Sequence, residues 1–202
     1  MLQLRQAVEL QQAGIGLHTQ VRDVSQRVEP VLARELGLGD NALGLLTSTY
    51  FLAFGAAQLP LGMLLDRFGP RRVEAALLLL AAAGAAAFAW SASLAGLAFG
   101  RALIGLGVSA CLMASFKAFY QWFPPERQAS LTGWIMAAGG LGALAAAKPL
   151  EIALGFAGWR EIMLVLAVVT FAVAALLWWS VPDKPGDGKN TGFSEQLDGV
   201  RQ

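Results

Sequence analysis

Gly62-Met-Leu-Leu-Asp66-Arg67-Phe68-Gly69-Pro70-Arg71-Arg72 stands between two long uncharged runs, 42–65 and 75–100, and its reading decides the fold. Gly69-Pro70 is turn chemistry: glycine adopts backbone conformations closed to other residues, and proline fixes φ where a turn needs it. The connection is therefore short, and the helices on either side are antiparallel neighbours. Asp66 ends the first run, where the helix dipole disfavours an acid unless a cation meets it. A partner for Asp66 is expected, from this loop or from another helix. Arg67, Arg71 and Arg72 crowd the same few residues. On charge alone the stretch reads as a solvated loop at a membrane border.

Working outward, the remaining charges are as tightly clustered. Of the 202 residues 56% are hydrophobic and 14% charged, against about 25% charged in an ordinary soluble domain. Uncharged runs at 42–65, 75–100, 102–116, 128–147 and 162–182 remain. Crossing the hydrocarbon core takes about 20 mainly apolar residues. The third run reaches that length once Arg101 is admitted to it. An all-α membrane protein follows, with about five transmembrane helices at roughly 42–65, 74–92, 95–117, 129–149 and 161–181. A soluble bundle would need polar faces at helical period, and Ala75–Ala89 has none.

The ends differ from the middle. Residues 1–41 hold no run that could span and no basic head, apolar core and cleavage site of a signal peptide, so a non-spanning N-terminal segment is expected, weakly helical or disordered. Residues 182–202, rich in Pro, Gly and charge, read as a flexible cytoplasmic tail. Eight Lys and Arg fall on the side of the 66–74 loop and six on the other. The positive-inside rule then puts the N-terminus outside and the C-terminus inside. Trp90, Tyr120, Trp122, Trp159, Trp178 and Trp179 fall at span ends, where amphipathic rings favour the interface. Small residues let membrane helices approach closely, and Gly133, Gly139, Gly140 and Gly142 mark the fourth span as the tightest packed.

The order of residues in the opening stretch closely resembles the signature loop of major facilitator superfamily transporters: a Gly, then Asp-Arg, then Gly and a basic pair. Pro70 stands where a basic residue is common. The resemblance implies that Gly62, Asp66, Arg67, Gly69, Arg71 and Arg72 form a conformational-gate motif. Asp66 and Arg67 would join a charge network that latches two transporter halves, and Gly62 would pack against a helix of the other half. Leu97-Ala-Phe-Gly-Arg101-Ala-Leu-Ile-Gly105-Leu-Gly107 resembles the fourth-helix motif of the same superfamily. By that resemblance Arg101 and Gly105 belong to a central cavity, with Ile104 in place of a polar residue. On its own chemistry Arg101 either points inward, as a buried membrane charge with a function does, or snorkels to the interface. Leu46–Gln58 resembles a cavity-lining second helix, which makes Tyr50 and Gln58 cavity candidates. Gly158-Trp159-Arg160 is common before the sixth helix of the superfamily and is otherwise an interfacial anchor. Lys148 is expected to snorkel outward.

The resemblance runs from about Pro30 to Pro182 and implies a partial N-terminal six-helix bundle lacking its first helix, because nothing in 1–29 could span. The displaced-start reading, in which an unrelated segment replaces that helix, is the expectation for residues 1–29. The function implied is transmembrane transport of a small solute by alternating access in a cell inner membrane, by a truncated chain that is incomplete alone. The alternative is a non-transporting multi-pass subunit or remnant. Partners expected are the lipid bilayer, a small-molecule solute, and a second transporter half or homodimer. A net charge of +1 points to no nucleic acid, and no metal or cofactor is expected with one Cys and one His. No catalysis is expected either: the spans offer Ser48, Ser109, Ser115 and Cys111 but no His, Asp or Glu to activate them.

Overall fold

The structure is a computed structural model that describes residues 28, 31, 33–146 and 148–181. The N-terminal segment before residue 28 and the tail 182–202 lie outside the described residues, and so does the side chain of Lys148.

Among the described residues seven long or short helices are bounded in order: α1 (Asp40–Phe68), α2 (Pro70–Trp90), α3 (Leu94–Val108), α4 (Cys111–Trp122), α5 (Pro125–Ala145), α6 (Lys148–Leu154) and α7 (Trp159–Ser180). Local chemistry sets their ends. Asp40 puts an acid in the first turn of α1, where the dipole favours it. Gly69 then stops α1 with φ 79° and ψ 158°, backbone that only glycine adopts without strain. Its N–H still bonds the Leu65 carbonyl at 3.1 Å, so the turn is closed as well as tight. Pro70 opens α2 at once, since a first helical residue has no N–H partner to lose. Ser93 caps α3 by accepting from the Gly96 N–H at 3.2 Å. Gly69→Ala is expected to cost about 1–3 kcal/mol through backbone strain, read as a lower melting temperature in detergent.

Among the described residues four stretches are long and apolar enough to cross a membrane: Asp40–Phe68, Pro70–Trp90, Leu94–Trp122 and Trp159–Ser180. The expected third span is thus one 29-residue crossing, broken at Ser109–Ala110 into α3 and α4. α5 overlaps the expected fourth span with 21 residues, but its glycines and its polar first turn keep it off that roll. At the other end of the hydropathy range, α7 is a nearly unbroken run of apolar residues.

Helices α1, α2, α3 and α7 form the packed body, with α2 in the middle, against α3 on one side and α7 on the other. Close approach there is glycine's work. A Cβ on Gly100 would stand 2.8 Å from the Phe88 backbone nitrogen, and one on Gly107 2.5 Å from that of Ala81. Gly84 returns the contact, with Ile104 N and Leu103 Cβ both 2.8 Å from where its Cβ would be. The close packing expected of the fourth span is not found at Gly133 and Gly140 of α5, where a Cβ would meet nothing within 4 Å. A glycine packs a helix only where a neighbour lies over it, and α5 touches mainly α4 and α6. Leu46, Ala85, Phe88, Leu97, Ile104 and Met163 form the largest core cluster, and Ala75, Leu78, Ala174 and Leu177 join α2 to α7.

Candidate functional site

The ten candidate residues fall into two groups. Six sit at the end of the bundle closed by the Gly69 turn. The Asp66 carboxylate meets Lys117 of α4, which supplies the cation that the end of α1 requires. Asp66 is more than half exposed, so this pair contributes at most about 1 kcal/mol. The Arg67 guanidinium lies 5.2 Å over the Phe68 ring. Arg71 turns the other way: it donates to the Trp178 carbonyl at the end of α7 and lies 5.2 Å over that residue's ring. A cation at the last turn of α7 satisfies a free carbonyl and complements the dipole. Arg72 is exposed on the first turn of α2, and Gly69 is buried between the two helices. Gly62 is exposed, and a Cβ there would meet nothing within 4 Å. The motif therefore fastens α1 to α4 and α2 to α7, while the Gly62 face of α1 is unpartnered within the described residues.

The other four candidates lie inside. Arg101 is wholly enclosed, 5.6 Å over the Phe88 ring, so it does not snorkel. Gly105, one turn on, lies against the Tyr50 carbonyl, where any side chain would collide. Tyr50 is 3% exposed and stacks on Phe54 with ring centres 6.3 Å apart. Two turns along α1, Gln58 donates to the Ser109 carbonyl at 3.1 Å, at the α3–α4 break. Tyr50–Gly105 and Gln58–Ser109 thus mark out one interface, α1 on α3. A cavity of about 400 Å³ lies elsewhere, between α4 and α5, lined by Phe116, Phe119, Tyr120, Gln128, Ala129 and Thr132.

Three residues escaped the sequence reading. Glu74 is 1% exposed inside α2, with the Cys111 thiol beside its carboxylate, so the expectation of no acid within the spans fails. Residue 74 already opened the span expected at 74–92, and Pro70 starts α2 a turn earlier, which sets Glu74 inside the helix rather than at its end. Lys117 closes the expected third span, and its partner lies 51 positions away. At the opposite end of the bundle Glu35 receives the Trp159 indole N–H at 2.6 Å and the Arg160 guanidinium. First Arg160 and then Trp159 hold the Glu35 carboxyl below the usual carboxylate range. Trp159 is buried rather than spread on the interface, unlike Trp90 and Trp179, whose exposed rings suit a span border.

Residues 28–201 match the Major Facilitator Superfamily family model. The chain is 26% identical over 156 residues to a "Probable sulfoacetate transporter SauU" of Cupriavidus necator, covering 77% of this chain and 36% of that protein. It is 25% identical over 169 residues to the hexuronate transporter of Escherichia coli, covering 84% of this chain and 39% of that one. The fold matches the crystal structure of a bacterial homologue of the human lysosomal transporter Spinster, inward-facing and unoccupied, with a TM-score of 0.76 at 16% identity, over 95% of this chain and 48% of that one. The chain thus spans under half the length of these relatives.

Proposed function

The chain belongs to the Major Facilitator Superfamily, and from that premise we propose that it takes part in transport of a small organic anion by alternating access, as one half of the machine. Arg101 carries the proposal. A permanent cation enclosed in an apolar helix is costly and marks a functional site in membrane proteins by default. The relatives named above are named for two organic anions, sulfoacetate and hexuronate. Transporters of this kind hold substrate near the midplane, between two halves. Only 11% of the apolar window of α1 is buried, against 61% for Leu94–Trp122, which leaves a helix face for a second half or a second copy of this chain. In this reading Gly62 meets that partner, while Asp66–Lys117 and Arg71–Trp178 hold the loop that would latch onto it. Tyr50, Gln58 and Gly105 set the α1–α3 contact that holds this face of α1 in place. The chain does no covalent chemistry in this reading. It sits in the bacterial inner membrane with five crossings, the N-terminus outside and the C-terminus inside.

Reporters fused at either terminus are expected to place the N-terminus outside, and cells making the chain are expected to take up labelled glucuronate or sulfoacetate above background. A stable membrane protein that binds neither anion would favour a non-transporting subunit.

A further inference from the structure

We infer that Glu35 is a positioning residue: it fastens the segment ahead of α1 to the first turn of α7, and through a continuous chain of rings it sets the surroundings of Arg101. Both carboxylate oxygens are engaged. Oε2 accepts from Trp159 Nε1–H at 2.6 Å, and Oε1 meets the Arg160 guanidinium. That guanidinium also lies 4.3 Å over the Trp159 ring, so one carboxylate and one cation grip the indole from two directions. Trp159 in turn stands edge-on to Phe88 of α2, ring centres 5.9 Å apart at 73°. The same Phe88 ring carries Arg101 on it at 5.6 Å. Glu35, Trp159, Phe88 and Arg101 are therefore joined contact by contact across three helices and a connecting segment. Leu36 and Leu38, beside Glu35, pack against the core cluster that contains Phe88 and Trp159. Releasing Glu35 loosens the apolar docking of the whole segment as well as one ion pair.

Protonation is the natural release. A neutral carboxyl keeps the indole bond but loses the charge that holds Arg160. The other charged groups near it are Arg34 on its own segment, Asp40 at the start of α1, and Glu161 in the first turn of α7, whose carboxylate turns back onto Gly158. Because Glu35 is held below the usual carboxylate range, the fastening is fully present above the ordinary value and is lost as pH falls through the depressed one.

The test is amide hydrogen exchange of the full chain in lipid nanodiscs, read on residues 33–44 and corrected for the intrinsic pH dependence. Glu35→Gln is expected to exchange about tenfold faster than the natural chain at neutral pH, the size that one lost charge-assisted bond produces. The natural chain should keep its protection through the ordinary carboxylate range and lose it only as pH falls below that range. Arg160→Lys, which retains a cation, should restore most of the protection that Arg160→Ala removes. Equal exchange in Glu35→Gln and the natural chain overturns the inference. An acid transition that survives in Glu35→Gln overturns it too, because Glu35 is then not the group whose protonation releases the segment. Only the link to Arg101 rests on the transport reading; exchange reports on the fastening whether or not anything is carried.

Discussion

Gly107→Ala is expected to lower the stability of the bundle by about 2–3 kcal/mol, as overpacking of a filled contact does. A methyl group there would stand 2.5–2.7 Å from the nitrogen, Cβ and Cα of Ala81. Two of those atoms are backbone, so no rotamer change makes room, and α2 and α3 must separate. Separation would also disturb Gly100 against Phe88 and Gly84 against Leu103, since all three contacts lie along one interface. Gly140→Ala provides the comparison. Its Cβ meets nothing within 4 Å, and alanine in a helix gains about 0.5–1 kcal/mol over glycine. One chemical change is thus expected to act in opposite directions at two glycines. The fraction of detergent-solubilised protein that stays monodisperse after heating measures both. Equal stabilisation by the two substitutions would mean that α2 and α3 do not approach as described.

Arg101→Leu is expected to lower the amount of folded protein in the membrane and, per folded molecule, to reduce anion uptake by at least about tenfold. The first part follows from burial: Arg101 is enclosed and engaged by its neighbours, and taking away one partner of a buried charged contact is destabilising. The second follows from the proposed role, because an anion loses the cation that favours it at mid-membrane. Lysine at 101 should fall between, since it keeps the charge and loses the planar guanidinium lying over Phe88. A loss of uptake no larger than the loss of folded protein would assign Arg101 to packing. Uptake unchanged in a well-folded Arg101→Leu chain would remove the main support for the proposed function.

The helices were legible because spans are written in one dimension: charge clears out of them and collects between them. Gly69-Pro70 likewise fixed one connection through backbone chemistry that the structure reproduces at φ 79°. Contacts between helices were much less legible. Nothing near Asp66 in the chain names Lys117, and nothing near Arg71 names Trp178, because those neighbours are set by how the helices lie. Glycines show the limit most plainly. Gly133 and Gly140 of α5 and Gly100, Gly105 and Gly107 of α3 look alike as letters, yet only the latter three face another backbone. Trp159 misled for a related reason. An aromatic at a span end suits the lipid interface, and whether it instead turns inward depends on Phe88 and Glu35, 71 and 124 positions away.

The break at Ser109–Ala110 changes how the Leu94–Trp122 crossing can respond to force. An unbroken helix resists bending along its whole hydrogen-bonded ladder, and bending it means breaking that ladder somewhere. Here the interruption is already present, and the Gln58 amide holds the Ser109 carbonyl at 3.1 Å. Letting that amide go costs only about 0.5–1.5 kcal/mol, comparable with thermal energy. The crossing is therefore stiff on either side of one compliant joint, and a pull on Lys117 from Asp66 would rotate α4 about Ser109 while α3, pinned by Gly100 and Gly107, stays still.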